Sequence, residues 1–136
     1  MKPIECQEDI HLLVNTFYSK IRKDELLGPI FNSHISENQW PHHLIKLTDF
    51  WETNLFGVRK FKGNPTKKHL KVDENLDYRI DALHFGKWLN LWVETINELF
   101  TGERADKAIY MERKMATGQY LTLWNQKPDN RKQNKL

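Results

Sequence analysis

Phe85, Trp88, Trp92, Ile96 and Leu99 recur at spacings of 3, 4, 4 and 3, and no other feature of the chain constrains its fold as tightly. Residues so spaced share one face of an α-helix. A long helix is therefore predicted from about Tyr78 to Phe100, its buried stripe widened by Leu89 and Val93. No segment alternates with the period of a strand and no internal repeat is visible, so the expected fold class is all-α.

Three further segments carry the helical period. From Glu8 to Lys23, Ile10, Leu13, Val14, Phe17 and Ile21 share a face, with Glu8 and Asp9 at the start and Lys20, Arg22 and Lys23 at the end, as the helix dipole favours. Tyr18 borders that face beside Val14 and Ile21. Its hydroxyl is carried toward the interior, where it needs a partner, although a tyrosine with its tip in water is the plainer reading. Gly28-Pro29 breaks the helix, and Ile30-Phe31 follows as a short apolar turn. Asn38 is the expected N-cap of the next helix, with Pro41 in its first turn. The stripe there is Trp40, Leu44, Leu47, Trp51 and Leu55, with Phe50 beside it; the period sets His43 at the edge of the buried face and His42 in solvent. Thr101-Gly102 ends the long helix, and a last one from about Glu103 to Asn125 uses Ala105, Ala108, Ile109, Met115, Leu121 and Trp124.

Between Phe56-Gly57 and about residue 75 no period is visible, and a structureless run of that length in a compact domain usually serves a function. It holds Gly63-Asn64-Pro65, whose turn sets the direction in which His69 emerges. Between Arg59 and Lys71 it also holds six basic residues (Arg59, Lys60, Lys62, Lys67, Lys68 and Lys71) and no acidic one. A solvated loop is the plainest account of that charge. Contact with phosphate or nucleic acid, and cations set near the carboxylates of a cofactor, compete with it.

A chain of 136 residues is one domain, able to bury about two thirds of its unfolded surface without a staple. Its one cysteine, Cys6, excludes an internal disulfide framework and a cysteine-cluster metal site. The first residues lack an apolar signal core, and no apolar run approaches the roughly 20 residues of a membrane span, so a cytoplasmic location is expected. The formal charge of +3 is that of the last ten residues, where Lys127, Arg131, Lys132 and Lys135 stand against Asp129. A domain over residues 1–126 and a basic, disordered tail over 127–136 follow as expectations. Five tryptophans, seven phenylalanines and four tyrosines suit a core built around a large flat object, and dense aromatic packing alone would use them too.

These features converge on a haem pocket. Haem iron can be held by one neutral imidazole, which leaves the sixth position for a diatomic ligand or peroxide. His69, just before the longest helix and 26 residues after His43, is the candidate; His84, one turn before Trp88, is the other. A phenol, an indole N–H and an imidazole can all donate to the partial negative charge on bound dioxygen, which nominates Tyr18, Trp88 and His43. Taken singly, Trp88 reads as core filling and His43 as a satisfied structural histidine.

Phe17-Tyr18, Arg22-Lys23-Asp24 and Gly28-Pro29-Ile30-Phe31-Asn32 are followed by Trp40 three residues before His43, Phe50-Trp51 and Gly63-Asn64-Pro65 with His69. His84-Phe85 with Trp88-Leu89 and Trp92, then Glu98-Leu99-Phe100 with Gly102-Glu103, complete a series that resembles the third group of truncated haemoglobins. The likeness spans the chain up to the last helix, and its specificity lies in the order and spacing of short motifs. It implies a truncated globin fold, a two-over-two helical sandwich with a shortened first helix and a loop in place of much of the proximal helix. It also implies haem b. By matching position, His69 is the expected proximal ligand and metal-binding residue, and Tyr18, His43 and Trp88 are the distal set. Phe31 is expected on the porphyrin, with Leu47 and Phe50 lining the pocket beside Trp88.

The expected function is reversible binding of dioxygen in a polar distal pocket. Three donors should slow release, which favours redox chemistry on nitric oxide or peroxide, with electrons from a reductase, over simple transport. The alternative is a cofactor-free helical module that contacts nucleic acid or another polyanion through its basic loop and tail. A neutral body and the lack of a recognition-helix motif count against it.

Overall fold

The computed structural model describes residues 1 to 60, 65 to 76 and 78 to 132, and of 65 to 68 and 131 the backbone alone. Among them stand six α-helices: α1 Gln7–Lys23, α2 Gly28–His34, α3 Trp40–Phe56, α4 Pro65–Asn75, α5 Ala82–Leu99 and α6 Glu103–Gln126. The all-α expectation holds. One bridge, Lys2 to Phe100, is the nearest the described residues come to a sheet. No helix among them is long and apolar enough to cross a membrane.

α1 packs on α3, and α5 packs on α6; α1 and α5 then join the two pairs into the two-over-two arrangement. The α1 stripe explains that central position, because Ile10, Leu13, Val14, Phe17 and Ile21 are all buried. Trp92 is the hinge of the core. Its indole lies edge to face with Phe17 at 4.9 Å and stacks on Trp51 at 4.7 Å. Its N–H donates to the Ala108 carbonyl of α6 at 3.1 Å. Each such aromatic pair adds about 0.5–1.5 kcal/mol to the burial of its area.

The Gly28-Pro29 break is a corner and then a helix. The Asp24 carboxylate accepts from the Leu26 and Leu27 amides, both at 3.0 Å, and turns the chain. Pro29 then falls in the first turn of α2, where its missing N–H costs nothing. The corner is so tight that a Cβ on Gly28 would lie 2.7 Å from the Arg22 carbonyl oxygen. Asn38 does not cap α3. Ser36 and Gln39 form a capping box around a single turn of 3-10 helix that leads into Trp40. Gly57, at φ +74°, ends α3.

Further expectations are corrected in α4 and α6. His69 lies on a helix, α4, where the sequence suggested a loop. α4 is held by its neighbour α6 more than by its own composition. Asp73, fully buried, pairs with the equally buried Lys127 ammonium at 3.2 Å. It also accepts from the Ile80 amide at 2.9 Å and the Gln126 amide at 3.2 Å. Gln126 donates to the Leu70 carbonyl at 3.0 Å, and Lys127 donates to the Tyr78 carbonyl. Lys127, counted with the basic tail, is thus a buried anchor. The second correction concerns α6, whose buried face is Ala105, Ala108, Glu112, Ala116 and Leu123, while Leu121 is exposed.

Candidate functional site

Tyr18, carried inward by the α1 stripe, collects the other expected distal residues around its ring. His43 of α3 meets it edge to face at 5.7 Å and Trp88 of α5 at 5.6 Å. Phe31 of α2 lies 6.2 Å away and stacks on Trp88 at 5.4 Å, the planes 22° apart. Four residues from four helices, chosen from sequence, therefore form one cluster. Trp40 flanks it, tilted against Tyr18 at 5.8 Å and edge-on to His43 at 5.4 Å. The Arg22 guanidinium lies 4.6 Å over the Trp40 ring. Leu47 and Phe50 follow His43 along α3, both half-buried, with Phe50 edge to face with Trp51 at 5.4 Å. A cleft of about 470 Å³ runs from solvent to this cluster between α1, α2 and α3, past Arg22, Trp40 and Leu44 to Tyr18.

The three donors differ in what already occupies them. Burial, and after it the Glu112 charge, holds the Tyr18 phenol well above its ordinary pKa, so it is a neutral donor. No described residue hydrogen-bonds that hydroxyl. Trp88 is committed: its single N–H donates to the Glu112 carboxylate at 2.8 Å. Glu112 is the residue that sequence reading missed. Burial raises its carboxyl to about 7 against the bond from Trp88, which lowers it. A signal was present, because Ala105, Ala108, Glu112 and Ala116 keep spacings of 3, 4 and 4 and put a carboxylate inside a stripe of small apolar residues.

On the other side, α4 brings His69 against α6. Burial pushes its imidazole below the ordinary value, opposed by a hydrogen bond with the Gln119 side chain. The Nδ1 atom is buried and has no hydrogen-bond partner among the described residues. A neutral ring with an unpartnered nitrogen is the form that ligates iron. His84 differs. Its Nδ1 is engaged with Asp81 at 2.9 Å and takes part in the capping box that starts α5. His84 thus already serves the start of α5. Glu112 and Gln119 lie two turns apart on α6, about 10.5 Å by helix rise, so one helix edge meets both the Tyr18 cluster and His69. The residues present fit a haem.

Of the basic segment, Lys60 pairs with Glu52 at 2.9 Å and Lys71 faces Glu74 at 3.8 Å, which neutralises part of its charge. Gly63, Asn64 and Lys62 lie outside the described residues, as do the side chains of Pro65, Lys67 and Lys68.

No family model matches the chain. It is 38% identical over 99 residues to the group 3 truncated hemoglobin ctb of Campylobacter jejuni, across 71% of this chain and 74% of that protein. The crystal structure of a group III truncated hemoglobin from Campylobacter jejuni superposes with a TM-score of 0.81 at 33% identity, covering 91% of this chain and 96% of that one.

Proposed function

The chain belongs to the group 3 truncated haemoglobins, and from that premise we propose that it holds haem b on His69 and binds dioxygen against Tyr18 and His43. The family implies the haem. The observation that carries the rest is the Tyr18 ring at the centre of the distal cluster, its neutral hydroxyl not engaged by any described residue.

Haem bound through one imidazole supplies a sixth coordination position for a diatomic ligand or peroxide. The chain's own residues do the rest. His69, kept neutral by burial, offers its ring nitrogen from α4, and Gln119 steadies the ring from α6. Phe31, Leu47 and Phe50, partly buried against the core, are the apolar side chains assigned to the pocket walls. Tyr18 and His43 present an O–H and an imidazole to the ligand, and Trp40 under Arg22 borders the cleft that leads from solvent to Tyr18. Donors fixed before the ligand arrives stabilise charge on it without reorganisation. A ligand so held leaves slowly, and the same donors can polarise a peroxide. Redox chemistry on peroxide or nitric oxide, with electrons from a reductase, is therefore the natural use of the site, in preference to dioxygen transport.

The test is the dioxygen release rate of the reduced, haem-loaded protein beside Tyr18→Phe. A hydrogen bond to a charged acceptor contributes about 1.5–3 kcal/mol, so release should accelerate about tenfold to a hundredfold. An unchanged rate removes Tyr18 from the distal role.

A further inference from the structure

We propose that Glu112 is a positioning residue of this site: its carboxylate competes with a ligand in the distal pocket for the one N–H of Trp88, and so decides how many donors the ligand meets. The inference rests on the haem reading above and adds to it a residue from α6.

An indole has a single N–H and no acceptor, so it cannot serve two partners fully at once. In this structure the bond goes to Glu112 Oε1 at 2.8 Å. Both side chains are buried or half-buried, and the carboxylate has no ion pair among the described residues to divert it. The elements packed around α6 bring few titratable groups toward it. From α1 comes Tyr18, and behind it His43 of α3; α5 brings the indole, and α4 brings His69 two turns along, against Gln119. Tyr18 is a neutral phenol, so Glu112 is the acid of this group whose charge changes near neutral pH.

The direction of the effect follows from hydrogen-bond strength. A bond to a carboxylate is roughly twice as strong as one to a neutral acceptor. Above about 7 the charged carboxylate retains Trp88 and the ligand meets Tyr18 and His43. Below that value the protonated carboxyl holds the indole weakly, and Trp88 turns its N–H to the ligand as a third donor. The site thus binds a polarised ligand more tightly on the acid side.

The carbon monoxide complex of the haem-loaded full chain gives the test, because donors near the ligand lower the C–O stretching frequency. Wild type and Glu112→Gln are compared between about pH 5.5 and pH 8.5, with the Trp88 indole resonance of the same samples followed by nitrogen-15 NMR. Wild type should move to lower frequency as pH falls, and the Trp88 N–H resonance should shift with the same midpoint. Glu112→Gln, neutral at every pH, should stay near the acid-side frequency with its indole resonance flat. A midpoint that survives in Glu112→Gln assigns the titration to another group, His43 foremost, and overturns the proposal. So does a wild-type spectrum that ignores pH. A protein that takes up no haem contradicts the haem reading itself, which the absence of a Soret band reports separately.

Discussion

At the scale of single residues, the proposed distal donors divide into a neutral, buried phenol, Tyr18, and an indole, Trp88, already held by Glu112. Tyr18 was legible from sequence because it borders an apolar stripe whose other members are all buried. Its role depends on what sits opposite, and Trp88 shows why that part was hidden. The period of α5 places the indole on the buried face, but nothing in that period says that its N–H meets a carboxylate from a helix 24 residues away. Glu112 also carries a stability consequence. Its folded pKa, about 7, lies above the unfolded 4.5, so its stabilising contribution is complete below 4.5 and is lost as pH rises through 7. The loss amounts to something on the order of 3 kcal/mol. Glu112→Gln keeps an acceptor for Trp88 without the buried charge. Its melting temperature should exceed that of wild type by several degrees near about pH 8 and converge with it near about pH 5. Parallel curves at both values would show that the carboxyl does not titrate in the fold.

At the scale of elements, α1, α3 and α5 were readable because each has a stripe long enough to fix its period, while α6 was readable as a helix but not as a face, since alanines and Glu112 make up most of its buried side. α4 was not. It holds only Leu70 and Val72 as aliphatic residues, and lysines dominate its first half. Its helix is completed by partners remote in sequence: Asp73 and Leu70 bind the end of α6 through Lys127 and Gln126. Pro65 in the first turn was the available clue, and the neighbouring turn residues masked it. Lys127→Met should therefore act at a distance. It leaves Asp73 buried without its counter-charge, a change that costs about 3–5 kcal/mol. The variant should melt lower and lose haem faster to an acceptor globin. Pairing it with Asp73→Leu should recover most of the melting temperature, because removing both charges removes the desolvation problem. Equal haem loss in wild type and Lys127→Met would separate α4 anchoring from cofactor retention. The α1 to α2 corner makes a second prediction. Gly28→Ala forces a Cβ against the Arg22 carbonyl and should destabilise the fold by about 1–3 kcal/mol in a melting experiment, shifting the chain that carries Phe31.

At the scale of the whole molecule, the two helix pairs hold the distal cluster from α1, α2, α3 and α5, while α4 and α6 meet on the other side around His69 and Gln119. The aromatic load that suggested a large flat partner divides in two. Trp51, Trp92 and Phe17 build the core, and Tyr18, Phe31, Trp40 and Trp88 form the aromatic cluster beside it. Order and spacing of short motifs pointed to the family because they record where these helices cross. They said little about which donor is occupied, since that is decided by pairs between elements. A ligand that binds only the folded chain also stabilises it, so haem loading should raise the melting temperature. The most direct test of the account is the visible spectrum of the protein loaded with haem, wild type beside His69→Ala and His84→Ala. Wild type should show a Soret band, retained in His84→Ala and lost or altered in His69→Ala. A band that depends on His84 and not His69, or no band in any of the three, would contradict it.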